Sequence, residues 1–251
     1  MKRFLRVPIF TPNMMIYGDT GRHELWINST LRSIKYWLKI LRMDENRYVR
    51  KVYNMMLHDD CCDNWAGKIK KVFFRFDFID IWESQQIGNQ NLFLKTLKER
   101  MINVSDTNWL NTLYGSDRYS LYRTFKQVRY KEPYLDFVDN SMNRKLLSCF
   151  RMGVSNILSH RTRFNTHVQI VCPLCIECEE DDVHFLLQCP VYYDLRLKYL
   201  FDRGNTPPNL NLFQLIMQCD EEMSIKKLSL YLYYAFKRRN VNIDEGNIVN
   251  I

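Results

Sequence analysis

Between residues 172 and 189 the chain reads CPLCIECEEDDVHFLLQC, in which Cys172, Cys175, His184 and Cys189 have the types and spacing of metal ligands. Two cysteines separated by two residues can aim both sulfurs at one ion from a tight turn, and Pro173 stiffens that turn by fixing its own φ. The other half of a tetrahedral set needs a His and a Cys presented by one element. DDVHFLLQC supplies it: Asp181 or Asp182 can cap a short helix that carries His184 and, about one turn on, Cys189, and Pro190 then stops the helix. The set predicts bound Zn2+. Cys178 follows Cys175 by three positions and is a rival fourth sulfur. It ranks below Cys189, because ligands drawn from 172, 175 and 178 crowd into one turn and leave His184 without a role. Three thiolates and a neutral imidazole around a divalent ion carry a net charge of about −1. Glu177, Glu179, Glu180, Asp181 and Asp182 make the neighbourhood more negative still, so the ion itself is not expected to touch phosphate.

The elements that position this stretch can be read from composition and periodicity. A chain of 251 residues, 46% hydrophobic and 14% aromatic, is globular and buries a real core in one large or two small domains. Only 8 Gly and 7 Pro leave little turn chemistry, so long helices are favoured over many short strands. The fold class expected is mainly α, with residues 1–139 helical and residues 140–251 holding a basic helix, a small zinc-knuckle subdomain and C-terminal helices. Residues 1–28 read as an irregular lead-in in which Gly18 and Gly21 mark turns, and Asn28, Ser29 or Thr30 caps the first clear helix. Helices are predicted over about 31–43, 45–57, 63–75, 90–104 and 117–128. The first sets Leu31, Ile34, Trp37, Leu38 and Leu41 on one face and Arg32, Lys35, Lys39 and Arg42 on the other, and its short link to the second predicts an antiparallel pair. Segment 73–82, FFRFDFIDIW, fits a strand or a continued helix equally. The stretch SMNRKLLSCFRMGVSNIL reads as a helix burying Met142, Leu146, Cys149 or Phe150, and Ile157. Beyond the cysteines, helices are expected at about 191–202, 210–218 and 222–238, the last ending in Lys237, Arg238 and Arg239 as the helix dipole prefers.

The net charge of +8 and a pI near 9.0 permit a polyanionic partner. From Asn140 to Ile176 the chain holds Arg144, Lys145, Arg151, Arg161 and Arg163, with His160 and His167, and no acidic residue. These five cations are the candidates for contact with nucleic-acid phosphates, and Arg144 and Arg151, seven apart, share a helix face. Tyr192, Tyr193 and Phe164 lie near the knuckle, where a base-stacking role competes with an ordinary core role. No 18-residue apolar run occurs, so no transmembrane helix is expected, and Arg6 and Pro8 interrupt the N-terminal apolar run, which argues against a signal peptide. The expectation is an intracellular chain, nuclear or cytoplasmic, whose thiols stay reduced. His58, Asp59, Asp60, Cys61 and Cys62 form the other cluster of ligand types, explained as well by helix-end polar residues and free thiols. Cys149 and Cys219 read as small core hydrophobes. There is no P-loop, GxGxxG, GxSxG or HExxH.

Two stretches, GDTGRHELWINSTLRSIKYWLKILRMDENRYVRKVY and CPLCIECEEDDVHFLLQCPVYYDLR, resemble the C-terminal region of non-LTR (LINE-type) retrotransposon polyproteins, downstream of the reverse transcriptase. SDRYSLYRTFKQ and RKLLSCFRMGVSNILSHRTRF resemble the intervening segments, so the likeness covers most of residues 7–240. Its most specific part is the Cys-Cys-His-Cys knuckle followed by Cys189-Pro190-Val191-Tyr192 and Leu195-Arg196. The resemblance implies Cys172, Cys175, His184 and Cys189 as zinc ligands, a role in binding element RNA or target DNA, and docking to a reverse transcriptase domain. A polymerase needs paired aspartates on a strand-turn-strand, and neither Asp59-Asp60 nor Asp181-Asp182 sits in such a pattern. The expected function is a non-catalytic, zinc-binding and nucleic-acid-binding tail. The alternative is zinc as a purely structural staple in a helical protein-interaction domain.

Overall fold

The computed structural model describes residues 1–58, 63–162, 170–200 and 209–244, and it is mainly α, with no strand among the described residues. The chain forms two compact units: a middle unit of residues 23–111, and a terminal unit built from residues 1–22 and 112–251. The change of composition at Asn140 falls inside the terminal unit, where the Asn140 side chain caps a helix. None of the helices among the described residues is long and apolar enough to cross a membrane.

The lead-in is ordered, contrary to its reading as irregular. Helices α1 (Lys2–Leu5) and α2 (Asn13–Thr20) belong to the terminal unit and bury Leu5, Met15 and Ile16. Each is too short for a 3.6-residue period to emerge, and Gly18, expected to mark a turn, is inside α2. Gly21 does end α2, at φ 63°, where a Cβ would lie 2.5 Å from the backbone nitrogen of Lys131, so glycine is required on both counts.

In the middle unit, α3 (Leu25–Leu41) begins six residues ahead of the expected start. Asn28, Ser29 and Thr30 lie within it, and Ser29 Oγ donates back to Trp26 O at 2.9 Å instead of capping. Helices α4 (Tyr48–His58) and α5 (Trp65–Arg75) come next, the latter capped by Asn64, which accepts from Gly67 N at 2.8 Å. Segment 73–82 is helical on both sides of a break. Asp77, at φ 57°, turns the chain between α5 and α6 (Ile79–Ser84), so that Phe73, Phe76 and Trp82 all enter one core. Helix α7 (Gln90–Tyr114) runs ten residues beyond its predicted end. Ser105, which breaks the apolar pattern, is nonetheless buried, its hydroxyl bonded to Glu24.

The terminal unit continues with α8 (Ser120–Phe125), α9 (Tyr134–Phe137), α10 (Ser141–Arg151), α11 (Leu158–Arg161), α12 (Tyr193–Tyr199), α13 (Leu210–Met217) and α14 (Glu222–Asp244). Helix α14 packs against α9, α10 and α12 and buries Ile225, Leu228, Tyr231, Leu232, Ala235 and Phe236. It runs past the basic Lys237–Arg239 cluster expected to end it. Helix α10 stops at Arg151, before Gly153 at φ 59°; Cys149, Phe150 and, beyond the helix, Ile157 are buried as expected, but Met142 is exposed and Leu146 half-buried, while Asn143, Leu147 and Arg151 are also buried.

Candidate metal centre

The first pair of ligands is delivered by a turn. Val171 bridges Glu179 in antiparallel fashion, Cys172 N donates to Cys178 O at 2.7 Å, and Ile176 N donates to Cys172 O at 3.0 Å. Closing so tight a loop forces Ile176 to φ 59°, an unfavourable conformation for a β-branched side chain. The second pair is delivered by a helical turn. Asp181 Oδ1 accepts from His184 N at 2.6 Å, which is the cap expected of Asp181 or Asp182. In an α-helix, residues five apart point about 140° away from each other. Residues His184–Gln188 instead form a π-turn, closed by Cys189 N donating to His184 O at 2.8 Å, and this wider turn returns Cys189 to the side of His184.

The ligand atoms of Cys172, Cys175, His184 and Cys189 all lie within 4.8 Å of one another. The Cys172 and Cys189 sulfurs are 4.0 Å apart, and Cys175 Sγ is 3.4 Å from His184 Nε2. A tetrahedral ion with zinc's bond lengths sets sulfur–sulfur edges of about 3.8 Å and sulfur–nitrogen edges of about 3.5 Å, so the cluster fits such an ion. Cys172, His184 and Cys189 are buried and Cys175 is half-buried, whereas Cys178, the rival sulfur, is exposed and outside the cluster. A hydrogen bond from Cys189, aided by backbone amides of Cys175 and Leu174, holds the Cys172 thiol down at about 4, and the same contact pushes Cys189 up. His184 Nδ1 is buried without a hydrogen-bond partner among the described residues.

The surroundings of the cluster are not legible as a group in the sequence. Glu180, in the acidic run, is fully buried and takes a bidentate grip from Arg239 of α14, at 2.6 and 2.8 Å. It also accepts from Leu158 N at 2.7 Å, at the start of α11. Asp182 is buried against His160, 2.9 Å away, and His160 Nδ1 meets Ser155 Oγ at 2.8 Å. Phe185 packs on Tyr192 and Phe236, with ring centres 5.1 and 4.8 Å apart, and Tyr231 OH donates to Phe185 O at 2.8 Å. The knuckle is therefore clamped to α14 and α11 by both an ion pair and an apolar contact. Of its acids, only Glu177, Glu179 and Asp181 face solvent.

The five cations predicted to meet phosphate are not brought together as one surface. Arg151 is a correction: it is 6% exposed, its Nε 3.1 Å from Asp19 Oδ2, its Nη2 2.8 Å from Glu132 Oε2, and its Nη1 donating to Met217 O at 2.6 Å. Asp19 also accepts from Tyr122 OH at 2.7 Å and Tyr134 OH at 3.0 Å, while Glu132 holds the buried Lys126. Burial opposes the charge on Arg151, but Asp19 and Glu132 outweigh it and hold the guanidinium firmly protonated. With both anions satisfied internally, Arg151 has no charge to offer a ligand. Arg144 is half-buried, its guanidinium 5.1 Å from the centre of the Phe4 ring and its Nη1 donating to Val138 O at 3.2 Å. Lys145 is half-buried and Arg161 exposed. Arg163, Phe164 and His167, like Asp59, Asp60, Cys61 and Cys62, lie outside the described residues. Tyr192, a stacking candidate, is only 1% exposed and belongs to the core; Tyr193 is exposed. Cys149 is buried as expected, which pushes its thiol up to about 11, and Cys219 is half-buried.

Compared with known proteins, the chain gives no match to a family model, to a curated protein or to a solved structure.

Proposed function

We propose that the chain binds one structural zinc ion through Cys172, Cys175, His184 and Cys189 and serves as a non-catalytic nucleic-acid-binding tail of the kind found after the reverse transcriptase in non-LTR retrotransposons. The observation that carries the zinc assignment is the convergence of four strong ligand atoms within 4.8 Å. Four protein ligands complete a tetrahedron and leave no coordination position for a reacting water, which is the arrangement of a structural and not a catalytic site. The motifs that resemble retrotransposon tails, together with the charge of +8, support nucleic acid as the partner. With Arg151 committed to the interior, phosphate contacts fall to Arg144, Lys145 and Arg161.

One observation favours the narrower reading, in which zinc only staples helices. The knuckle turns its ligands inward and its exposed acids outward, so its own surface repels phosphate. Metal analysis with a binding titration separates the two. The zinc-loaded protein should bind RNA or DNA at about 50 mM salt and lose affinity steeply as salt rises. Stoichiometric zinc without binding would leave the staple alone.

A further inference from the structure

An open groove of about 650 Å³ runs between α1 and α2, lined among others by Lys2, Arg3, Arg6, Ile9, Ile16 and Tyr17. No carboxylate lines it, and residues 1–18 contain no Asp or Glu. Lys2 Nζ donates to Ile9 O at 2.6 Å at the rim, while Arg3 and Arg6 are exposed and enter no ion pair among the described residues. Arg6 caps α1 in the left-handed conformation, at φ 53°. The same positive surface continues across α1, where Phe4 is 62% exposed beneath the Arg144 guanidinium and α1 packs on α10, which carries Lys145. Ile9 and Phe10, at 87% and 67% exposed, extend it with apolar surface.

Cations interleaved with exposed rings, around a concave apolar floor, are the chemistry of a channel for an extended polyanion with flat apolar substituents. A duplex offers phosphates but hides its bases, and would leave this floor uncovered. Resting on the nucleic-acid reading above, we propose that the groove holds a single-stranded nucleic acid, with a base against Tyr17 and Ile9 and the flanking phosphates on Arg3, Arg6 and Arg144. Nucleic acid then enters by the N-terminal helices, on a surface separate from the metal ligands, and the metal has no contact with it.

The test is fluorescence anisotropy of the zinc-loaded full chain with labelled single strands and matched duplex, between about 50 and 200 mM salt. The variant Arg3→Ala with Arg6→Gly removes two charges while giving the left-handed position a residue that suits it, so the fold is kept. It should bind single strands about tenfold more weakly and make the log–log salt slope shallower by about 1.4 units. Tyr17→Leu should leave the slope unchanged and weaken binding at high salt by about fivefold or more. If the wild type binds single strands and both variants bind as well as it does, the groove is not the site, although the proposed function survives. If the wild type binds no nucleic acid at low salt, that function falls and the groove assignment with it. If the charge variant loses pelleting with phosphatidylserine–phosphatidylcholine vesicles but keeps oligonucleotide binding, the groove serves a lipid surface and the assignment is overturned.

Discussion

The middle unit is filled with rings: Trp37 lies 4.8 Å from Phe73 and 6.1 Å from Trp82, and Phe73 stacks on Phe93 at 5.6 Å. The main polar link in that core is a single chain, in which Trp37 Nε1 donates to Tyr53 OH at 2.8 Å and Tyr53 OH donates to Gln85 Oε1 at 2.7 Å. The terminal unit also buries apolar side chains, but it encloses Asp19, Lys126, Glu132, Arg151, Glu180 and Arg239 beside the thiols of the candidate metal cluster. The two interiors are held by different physics. Apolar burial is non-directional and gains free energy with every ring removed from water. A buried ion pair adds little net stability, yet loss of one partner strands a charge, so such pairs fix orientation and fail abruptly.

That difference can be broken from either side, and all five tryptophans lie in the middle unit, so indole fluorescence reports that unit alone. The largest effect belongs to Cys189→Ser. Loss of metal-coupled folding, on the order of 10 kcal/mol in small zinc modules, should collapse amide-exchange protection around the knuckle and α14 while tryptophan emission stays native. Simultaneous loss of both signals would show that the units share one source of stability. Next come two substitutions of equal size and opposite address. Arg239→Met leaves Glu180 without its partner and should destabilise the terminal unit by about 3–5 kcal/mol. Trp37→Ala opens a cavity and should destabilise the middle unit by about 3–5 kcal/mol. Urea titrations monitored by tryptophan emission and by amide exchange in α14 should assign each loss to its own unit, and crossed effects would refute the division.

Alkaline pH discriminates without mutation. Burial, with Asp19 close by, raises the Tyr122 and Tyr134 phenols well above their ordinary range, and burial also raises Tyr192 and Tyr231, all in the terminal unit. A folded-state pKa above the unfolded one gives stability that is fully present below the ordinary phenol pKa of about 10 and is lost as pH rises beyond it. Tyr53, in the middle unit, is raised by burial too, but less. The buried phenols should therefore ionise together, as a cooperative step in tyrosinate absorbance that accompanies terminal-unit unfolding above a pH of about 10, before tryptophan emission changes. Gradual titration with no loss of structure would contradict the buried network. The smallest effect is a gain: Ile176→Gly relieves the left-handed residue of the knuckle and should stabilise the metal-bound form by about 1 kcal/mol in thermal melts.

The same contrast explains how much the sequence discloses. Helix faces in the middle unit repeat every three or four residues, so Ile34, Trp37 and Leu38 can be placed in a core at once. The candidate ligands are legible for a similar reason, since all four fall within 18 consecutive residues and their spacing carries the chemistry. Arg151 reads wrongly as a surface cation because its partner Asp19 is 132 positions away, and Glu180 finds Arg239 only 59 positions on. No local pattern encodes such pairs. The short helices α1 and α2 escape a periodicity reading because four and eight residues cannot display a period, and the Arg3 and Arg6 groove escapes with them.

If the proposal holds, one ion occupies a closed site made by Cys172, Cys175, His184 and Cys189. X-ray absorption at the zinc edge, with metal analysis of the purified chain, tests it most directly. The purified chain should carry one zinc, with three sulfurs at about 2.3 Å and one nitrogen at about 2.0 Å, and Cys178→Ser should leave this unchanged. An oxygen ligand in place of a sulfur, loss of a sulfur in Cys178→Ser, or protein that takes up no zinc at all would contradict it.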